Sequence, residues 1–422
     1  MIKWPVVSVV MSNYNGLKLN ILDESLESIL NNDYPNLEVI LVDNASTDKS
    51  VSVVQKKFGK NPRLKIIQNS INMYSKGLNL GVKNSQGEYV AFFNNDVVVE
   101  DGFFQKIINY LKKNSKVALV QGKLLSYFDH SIIDSAGETI DAIGSPITIG
   151  AHLKDSGKFD KTAEVLSASG SCSLLNRSAV ERIGLLQSNK LVLFDEDYGI
   201  GYEDLDLALR VWLSGYKVMY FPEALAFHKR GVTDLSEEIR VKVRWHFNKN
   251  RIITMLKNYS WGFILRNLPG TVLIYLATGM WEIIVKGKPA LGFTRFTSII
   301  WVLMHLSSTL RKRQQIQKTA TRNGKIMIEK LQYRSTLFNF FLLFTDTLVI
   351  GGIITSLLYL GDPPKSLEKV PGSDKQIILV FRSRKVESGI ARLTKSRLTL
   401  IILLETLMVF SKISEVCPKV TP

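Results

Sequence analysis

Over its first hundred residues the chain alternates short apolar runs with amphipathic stretches. Residues 6–11 form a β-branched run, and Leu22, Leu26, Ile29 and Leu30 then recur at helical spacing. Residues 37–42 are a second strand, 51–58 suit a helix capped from Ser46 or Thr47, 64–67 a third strand, and 78–84 another helix. Strand and helix at this interval predict a right-handed parallel α/β sheet with helices on both faces. No GxGxxG follows the first strand, which excludes a dinucleotide-binding loop.

The next run, YVAFFNNDVVVE at 89–100, reads as a strand buried on both faces and interrupted by Asn94, Asn95 and Asp96. Ligands of open parallel sheets sit beyond the carboxyl ends of the strands. The triplet therefore either ends the strand in a turn or projects oxygens at i and i+2 into a crevice, where they suit a hard divalent cation. Asp43, ending the second strand, can begin a turn or accept hydrogen bonds from a base or ribose. Lys76, heading a helix, can be solvated or meet phosphates.

Residues 122–159 are irregular and rich in Gly, Ser and Asp, as expected of loops and edge strands in an acceptor-facing half. Order returns at 165–175, where Ala168 to Ser171 allow close backbone approach, and 177–183 suit a short helix. The second chemical stretch is FDEDYGIGYEDLDLALR at 194–210. Its buried stripe of Leu205, Leu207, Ala208, Val211 and Trp212 makes a helix with Glu203 and Asp204 in the first turn. The helix dipole favours acids there, and two crowded carboxylates also raise one another's pKa, which makes a better base. A strand at 217–221 and a lone His228 follow.

Charge divides the chain. Residues 1–235 hold 25 Lys+Arg against 27 Asp+Glu, so the net +16 comes from the remainder, at +18. Apolar segments lie among those basic residues, at 268–285, 296–310, 337–360 and 398–410, which favours a membrane partner over nucleic acid. The 337–360 run, with Asp346 its sole charge, is the strongest expected span. The basic-aromatic segment 240–251 suits a headgroup interface, and the loop 311–334, the most basic, is expected in the cytoplasm. Cys172 and Cys417 are the only cysteines, so no disulfide framework is expected, and a strand starting at residue 5 leaves no room for a signal peptide. Both point to a cytoplasmic N-terminal part.

Six motifs in one order, VSVVMSNYNG, EVILVDNASTD, NMYSKGLNLGV, GEYVAFFNNDVVVE, FDEDYGIGYEDLDLALRVWLSGYKV and FPEALAFHKRG, resemble the family-2 glycosyltransferases, in particular their rhamnosyltransferase-like branch. The resemblance implies a GT-A fold over 1–235; the basic and apolar patterning beyond it predicts a membrane-associated helical region at 236–335 and a transmembrane helix with a basic tail at 336–422. The resemblance implies an inverting transfer from a nucleotide-sugar donor to a saccharide acceptor, with Mn2+ or Mg2+ as cofactor; the apolar segments and the basic loop add the expectation of a lipid-linked acceptor at the cell membrane, with the catalytic domain facing the cytoplasm. Asn13, Tyr14, Asp43, Lys76, Asn94 and Asn95 would line the nucleotide site. Asp96 and His228 would hold the metal, and Asp204, with Glu203 beside it, would be the general base. Two positions depart from the pattern: Asn94 replaces the first carboxylate of the usual triplet, and Met73 stands where glycine is common. Transfer to polyprenyl phosphate, or a non-catalytic scaffold retaining the nucleotide-binding fold, are the alternatives.

Overall fold

The computed structural model describes residues 4–19, 21–141, 144–229 and 236–332. The opening half alternates as expected: β1 (Val7–Asn13), α1 (Leu22–Leu30), β2 (Leu37–Asn44), α2 (Ser50–Phe58), β3 (Leu64–Asn69), α3 (Tyr74–Lys83) and β4 (Tyr89–Asn94). β3, β2, β1 and β4 pair in that order, all parallel. Helix α2 is not capped from Ser46 or Thr47. The Asp48 carboxylate accepts from the Ser50 N–H at 2.9 Å, while the Ser46 hydroxyl is turned to Asp43.

The YVAFFNNDVVVE run is two strands rather than one. Asn95 and Asp96 form a turn after β4, and β5 (Val97–Val99) leaves for another neighbour. After α4 (Phe103–Lys113) the irregular stretch resolves into a long strand β6 (Val117–Ser126), the short strands β7 (Ile133–Ser135), β8 (Glu138–Ile140) and β9 (Pro146–Thr148), and loops. Next come β10 (Ala163–Glu164), β11 (Cys172–Asn176), α5 (Val180–Ile183), the hairpin β12 (Leu185–Gln187) and β13 (Lys190–Val192), α6 (Glu203–Leu213) and β14 (Lys217–His228). β11 is antiparallel to both β4 and β6, and β14 runs parallel to β6 and antiparallel to β5. The sheet is therefore mixed, with a parallel core.

Strand β14 continues through Pro222, where the sequence pattern ends it at 221. A register shift between Phe221 and Leu225 absorbs the missing proline N–H, and the strand reaches His228.

Alternation along β1 explains the layering. Val7, Val9 and Met11 face the core under α1, α2 and α4, while Val10 faces the one under α3 and α6. Each such side chain fully withdrawn from water contributes roughly 1.5–3 kcal/mol. Helix α3 lies so close to β1 that a Cβ on Gly81 would meet Val10 Cγ1 at 2.3 Å.

The described remainder is helical: α7 (Glu237–Asn258), α8 (Trp261–Ile284), α9 (Pro289–Met304), α10 (Leu306–Thr319) and α11 (Arg322–Leu331). The expected basic loop at 311–334 is, over its described part, these last two helices, with Lys312 and Arg313 buried. Likewise the headgroup reading of 240–251 fails over its last four residues, because Asn248, Lys249, Asn250 and Arg251 are buried in the protein. The expected apolar segment 268–285 lies in α8, apart from its last residue, and 296–310 straddles α9 and α10. The segments 337–360 and 398–410 lie outside the described residues.

Candidate active site

The parallel register brings Asn13, Asp43 and Asn94 to one edge of the sheet, since Asn13 pairs with Asp43 and Ser12 with Asn94. Asn13 is the hub of this edge. Its buried Nδ2 donates to Asp43 Oδ1 at 2.8 Å, and its Oδ1 accepts from Asn95 Nδ2 at 2.9 Å. Asp43 is itself buried, its second oxygen accepting from the Ser46 N–H at 3.1 Å. Asn94 is engaged as well: Oδ1 accepts from the Tyr74 hydroxyl at 2.9 Å and Nδ2 donates to Ser171 Oγ at 3.0 Å. Tyr14 stands exposed at the rim, and Lys76, half exposed, lies 3.8 Å from Glu196.

Asp96 and His228 are brought together by the antiparallel β5–β14 pair, in which Val97 faces His228. His228 Nε2 lies 3.3 Å from Asp96 Oδ1, and its Nδ1 lies 2.9 Å from Asp134 Oδ2. Burial alone would push this imidazole down. The carboxylates of Asp134 and Asp96 outweigh it and lift His228 to about 9.

Glu203 and Asp204 open α6 directly after Tyr202, whose φ of 70° turns the chain into the helix. Asp204 Oδ2 accepts from the Gly170 N–H at 3.0 Å and Oδ1 from the Leu205 N–H at 2.8 Å. Gly170 allows this approach, since a Cβ there would stand 3.3 Å from Asp204 Oδ2. Asp204 keeps part of its surface open yet sits deep among protein atoms. That desolvation pushes its carboxyl up, and the two N–H groups draw it partly back. Glu203 is pushed well above the usual carboxylate range by burial and by the adjacent Asp204 charge, and its Oε2 has no hydrogen-bond partner among the described residues.

Tyr74 joins the two halves. It lines one cavity with Gly170, Glu203 and Asp204, and burial followed by the charges of Glu203, Asp204 and Asp96 lifts its phenol well above the ordinary value. The chain at 170–171 makes the same link, because the Ser171 carbonyl accepts from the Asn94 N–H at 3.2 Å while Gly170 holds Asp204. Asp204 and the Asn94 to Asp96 turn are thus linked through Tyr74 and residues 170–171. Tyr74 and Asp134 are site neighbours that composition and spacing do not single out. Tyr74 sits inside the NMYSKG motif, whereas Asp134 lies in the stretch without periodicity.

The comparisons with known proteins name a family. Residues 8–184 match the model of glycosyl transferase family 2. The matched segment contains Asp43 and the Asn94 to Asp96 turn and ends before Glu203. An uncharacterized glycosyltransferase of Haemophilus influenzae is 29% identical over 226 residues, 53% of this chain and 65% of that protein. The poly-beta-1,6-N-acetyl-D-glucosamine synthase of Staphylococcus epidermidis is 25% identical over 222 residues, 52% of this chain and 49% of that one. The match thus spans about half to two thirds of the length of these relatives. Among solved structures, a mannosyltransferase from Pyrobaculum calidifontis in complex with GDP-Man and Mn2+ aligns over 84% of this chain and 88% of its own, at 17% identity and a TM-score of 0.44.

Proposed function

We propose that this protein is an inverting, metal-dependent glycosyltransferase that moves a hexosyl or rhamnosyl group from a nucleotide sugar to a saccharide on a lipid carrier, in surface polysaccharide assembly. The observation that carries this is Tyr74, which lines one cavity with Glu203 and Asp204 and whose hydroxyl donates to Asn94, two residues before Asp96. Inversion requires an acceptor hydroxyl that loses its proton as it attacks, and a leaving diphosphate whose growing charge is stabilised. Asp204 takes the proton: it is open to the cleft, and its raised pKa makes it a stronger base than an ordinary aspartate. Burial and the neighbouring Asp204 push the Glu203 carboxyl well above the usual range, which favours leaving the negative charge on Asp204.

Asp96 and His228 would hold a divalent cation, Mn2+ or Mg2+, which neutralises diphosphate charge when bound. The residues fit. Asp134 fixes the imidazole so that Nε2 faces Asp96, as carboxylates behind metal-binding histidines do, and the two carboxylates that attract a proton to this ring attract a cation in its place. Among the described residues no group of three His, Cys, Asp or Glu side chains is placed for a metal, so donor phosphates and water would complete the shell. Asn13 and Asp43, with Tyr14 and Lys76 at the rim, would receive the nucleotide. The Asp96→Ala variant is expected to lose its response to Mn2+, with turnover at or below the chelator-treated wild-type level. Wild-type turnover of that variant in chelator would remove the metal from the scheme.

The acceptor side is proposed to be a membrane. Helix α8 is long and apolar enough to cross one, and α9 and α10 form a pair bent by 67° that passes the same test together. Leu265, Leu273, Leu276, Met280 and Ile284 recur at helical spacing along α8 and are exposed, as are Leu303 and Met304 on α9. The carboxylate within α8, Glu282, accepts from Arg295 Nε at 3.2 Å. We expect the full-length protein to pellet with membranes and to be released by detergent. Combined Leu265→Glu, Leu273→Glu and Ile284→Glu changes should abolish binding to anionic vesicles, and retained vesicle binding in that variant would move the contact elsewhere.

A further inference from the structure

We propose that the polar face of α7 is a positioning element for the base, holding the loop 195–202 that delivers Asp204 to the cleft. The inference rests on the proposed role of Asp204, and it assigns work to a helix beyond the segment matched by the family model.

That loop is an unusual piece of backbone. Gly199, Gly201 and Tyr202 all have positive φ, at 69°, 80° and 70°, and the last of them immediately precedes Glu203 and Asp204. A tyrosine in the left-handed region costs on the order of 1–3 kcal/mol and persists only where its surroundings over-determine it. Here α7 supplies the surroundings. Asn250 Nδ2 lies within hydrogen-bond distance of the carbonyls of Tyr198, Ile200 and Gly201, at 2.9, 2.9 and 2.7 Å, its two N–H groups shared among the three. His246 Nδ1 reaches the Tyr198 carbonyl at 2.8 Å, Lys249 donates to that of Asp197, and Arg251 Nε donates to the Tyr202 hydroxyl at 2.9 Å. Contact is so close that a Cβ on Gly199 would strike the His246 ring and one on Gly201 the Phe247 ring, each at 2.4 Å.

The remaining carbonyl of the run, Gly199, accepts from the Ser75 N–H at 3.1 Å, next to Tyr74. Side chains of one helix thus fix a strained loop whose two outlets are the Asp204 carboxylate and the Tyr74 end of α3. A fold needs a helix to pack on α6. It does not need one to occupy successive carbonyls just ahead of the base.

The test uses full-length protein in detergent with a nucleotide-sugar donor. Asn250→Ala should lower kcat roughly 10- to 100-fold, the effect of misplacing a catalytic group by about 1 Å, while donor KM and nucleotide affinity stay within about threefold. The acid limb of its pH–kcat profile should move to lower pH, because Asp204 gains water, with Glu203 and the Tyr74 phenol the titratable groups facing it. His246→Ala, at a less buried position, should do the same to a smaller degree and covers the case in which Asn250→Ala does not fold. Unaltered kcat and an unmoved acid limb in both would overturn the inference. So would loss of nucleotide binding together with activity in both, because the residues would then support the fold and not the base. Asp204→Asn, measured alongside, separates the two levels. If it is inactive while Asn250→Ala is normal, α7 alone loses its role; if it turns over normally, the base assignment fails and takes the α7 inference with it.

Discussion

Asp204→Asn should reduce turnover by roughly 10²- to 10⁴-fold, the usual contribution of a positioned general base, with nucleotide affinity nearly unchanged. The amide keeps the shape of the side chain, and its one oxygen can still accept from either the Gly170 or the Leu205 N–H, so the cleft should survive with one of these two hydrogen bonds lost. What it loses is the ability to take a proton. In the unmodified enzyme, burial raises the Asp204 carboxyl, so turnover should rise with pH through a value above the ordinary aspartate pKa of about 3.9. The variant should lack that limb. Steady-state rates across pH, together with nucleotide titrations, check both points, and near-normal turnover would strip Asp204 of its role.

The second large effect concerns stability. Lys257, fully buried, places Nζ 2.6 Å from Asp195 Oδ2 and 3.0 Å from Asp206 Oδ1. Lys312 from α10 adds a contact of 2.6 Å to the other Asp195 oxygen. Lys257→Met leaves buried carboxylates short of a cation and should destabilise the protein by about 3–5 kcal/mol. Adding Asp195→Asn should recover part of that loss, a coupling that a double-mutant cycle reads directly.

The pH dependence follows from the sign of the shift. Burial would raise Asp195, but Lys257 and Lys312 hold it well below the usual range. Its contribution is therefore complete above the ordinary carboxylate value of about 3.9 and is lost as pH falls below that toward the folded-state value. Denaturant midpoints should fall on acidification below about pH 4 in the unmodified protein, and less steeply in Lys257→Met. Equal midpoints for the two proteins at neutral pH would show that the buried cation contributes nothing net.

The parallel half of the sheet was legible because its strands are short β-branched runs buried on both faces. Their ends were legible too, since Asn13, Asp43 and Asn94 sit where the runs turn polar. Less could be read where contact is made across distance. Asp96 and His228 are separated by most of the domain and meet only because β5 pairs with a strand that passes through a proline, so only the family resemblance linked them. Asp134 stands behind His228 from a stretch with no periodicity to read. The helical half misled for a physical reason. Lysine and arginine usually mark surface, yet Lys249, Lys257 and Lys312 are buried because the FDEDYG segment supplies buried carboxylates and carbonyl oxygens to receive them. The partner acids were visible in the sequence, and the pairing was not.

The central claim is that one bound nucleotide sugar lies between the Asp96–His228 pair and Asp204. Its most direct test is a crystal structure of the Asp204→Asn variant soaked with Mn2+ and the nucleotide sugar that the enzyme turns over. The cation should sit on Asp96 and His228, and the anomeric carbon should face position 204 across the cleft beside Tyr74. A donor bound elsewhere, or one whose sugar points away from α6, would contradict the account.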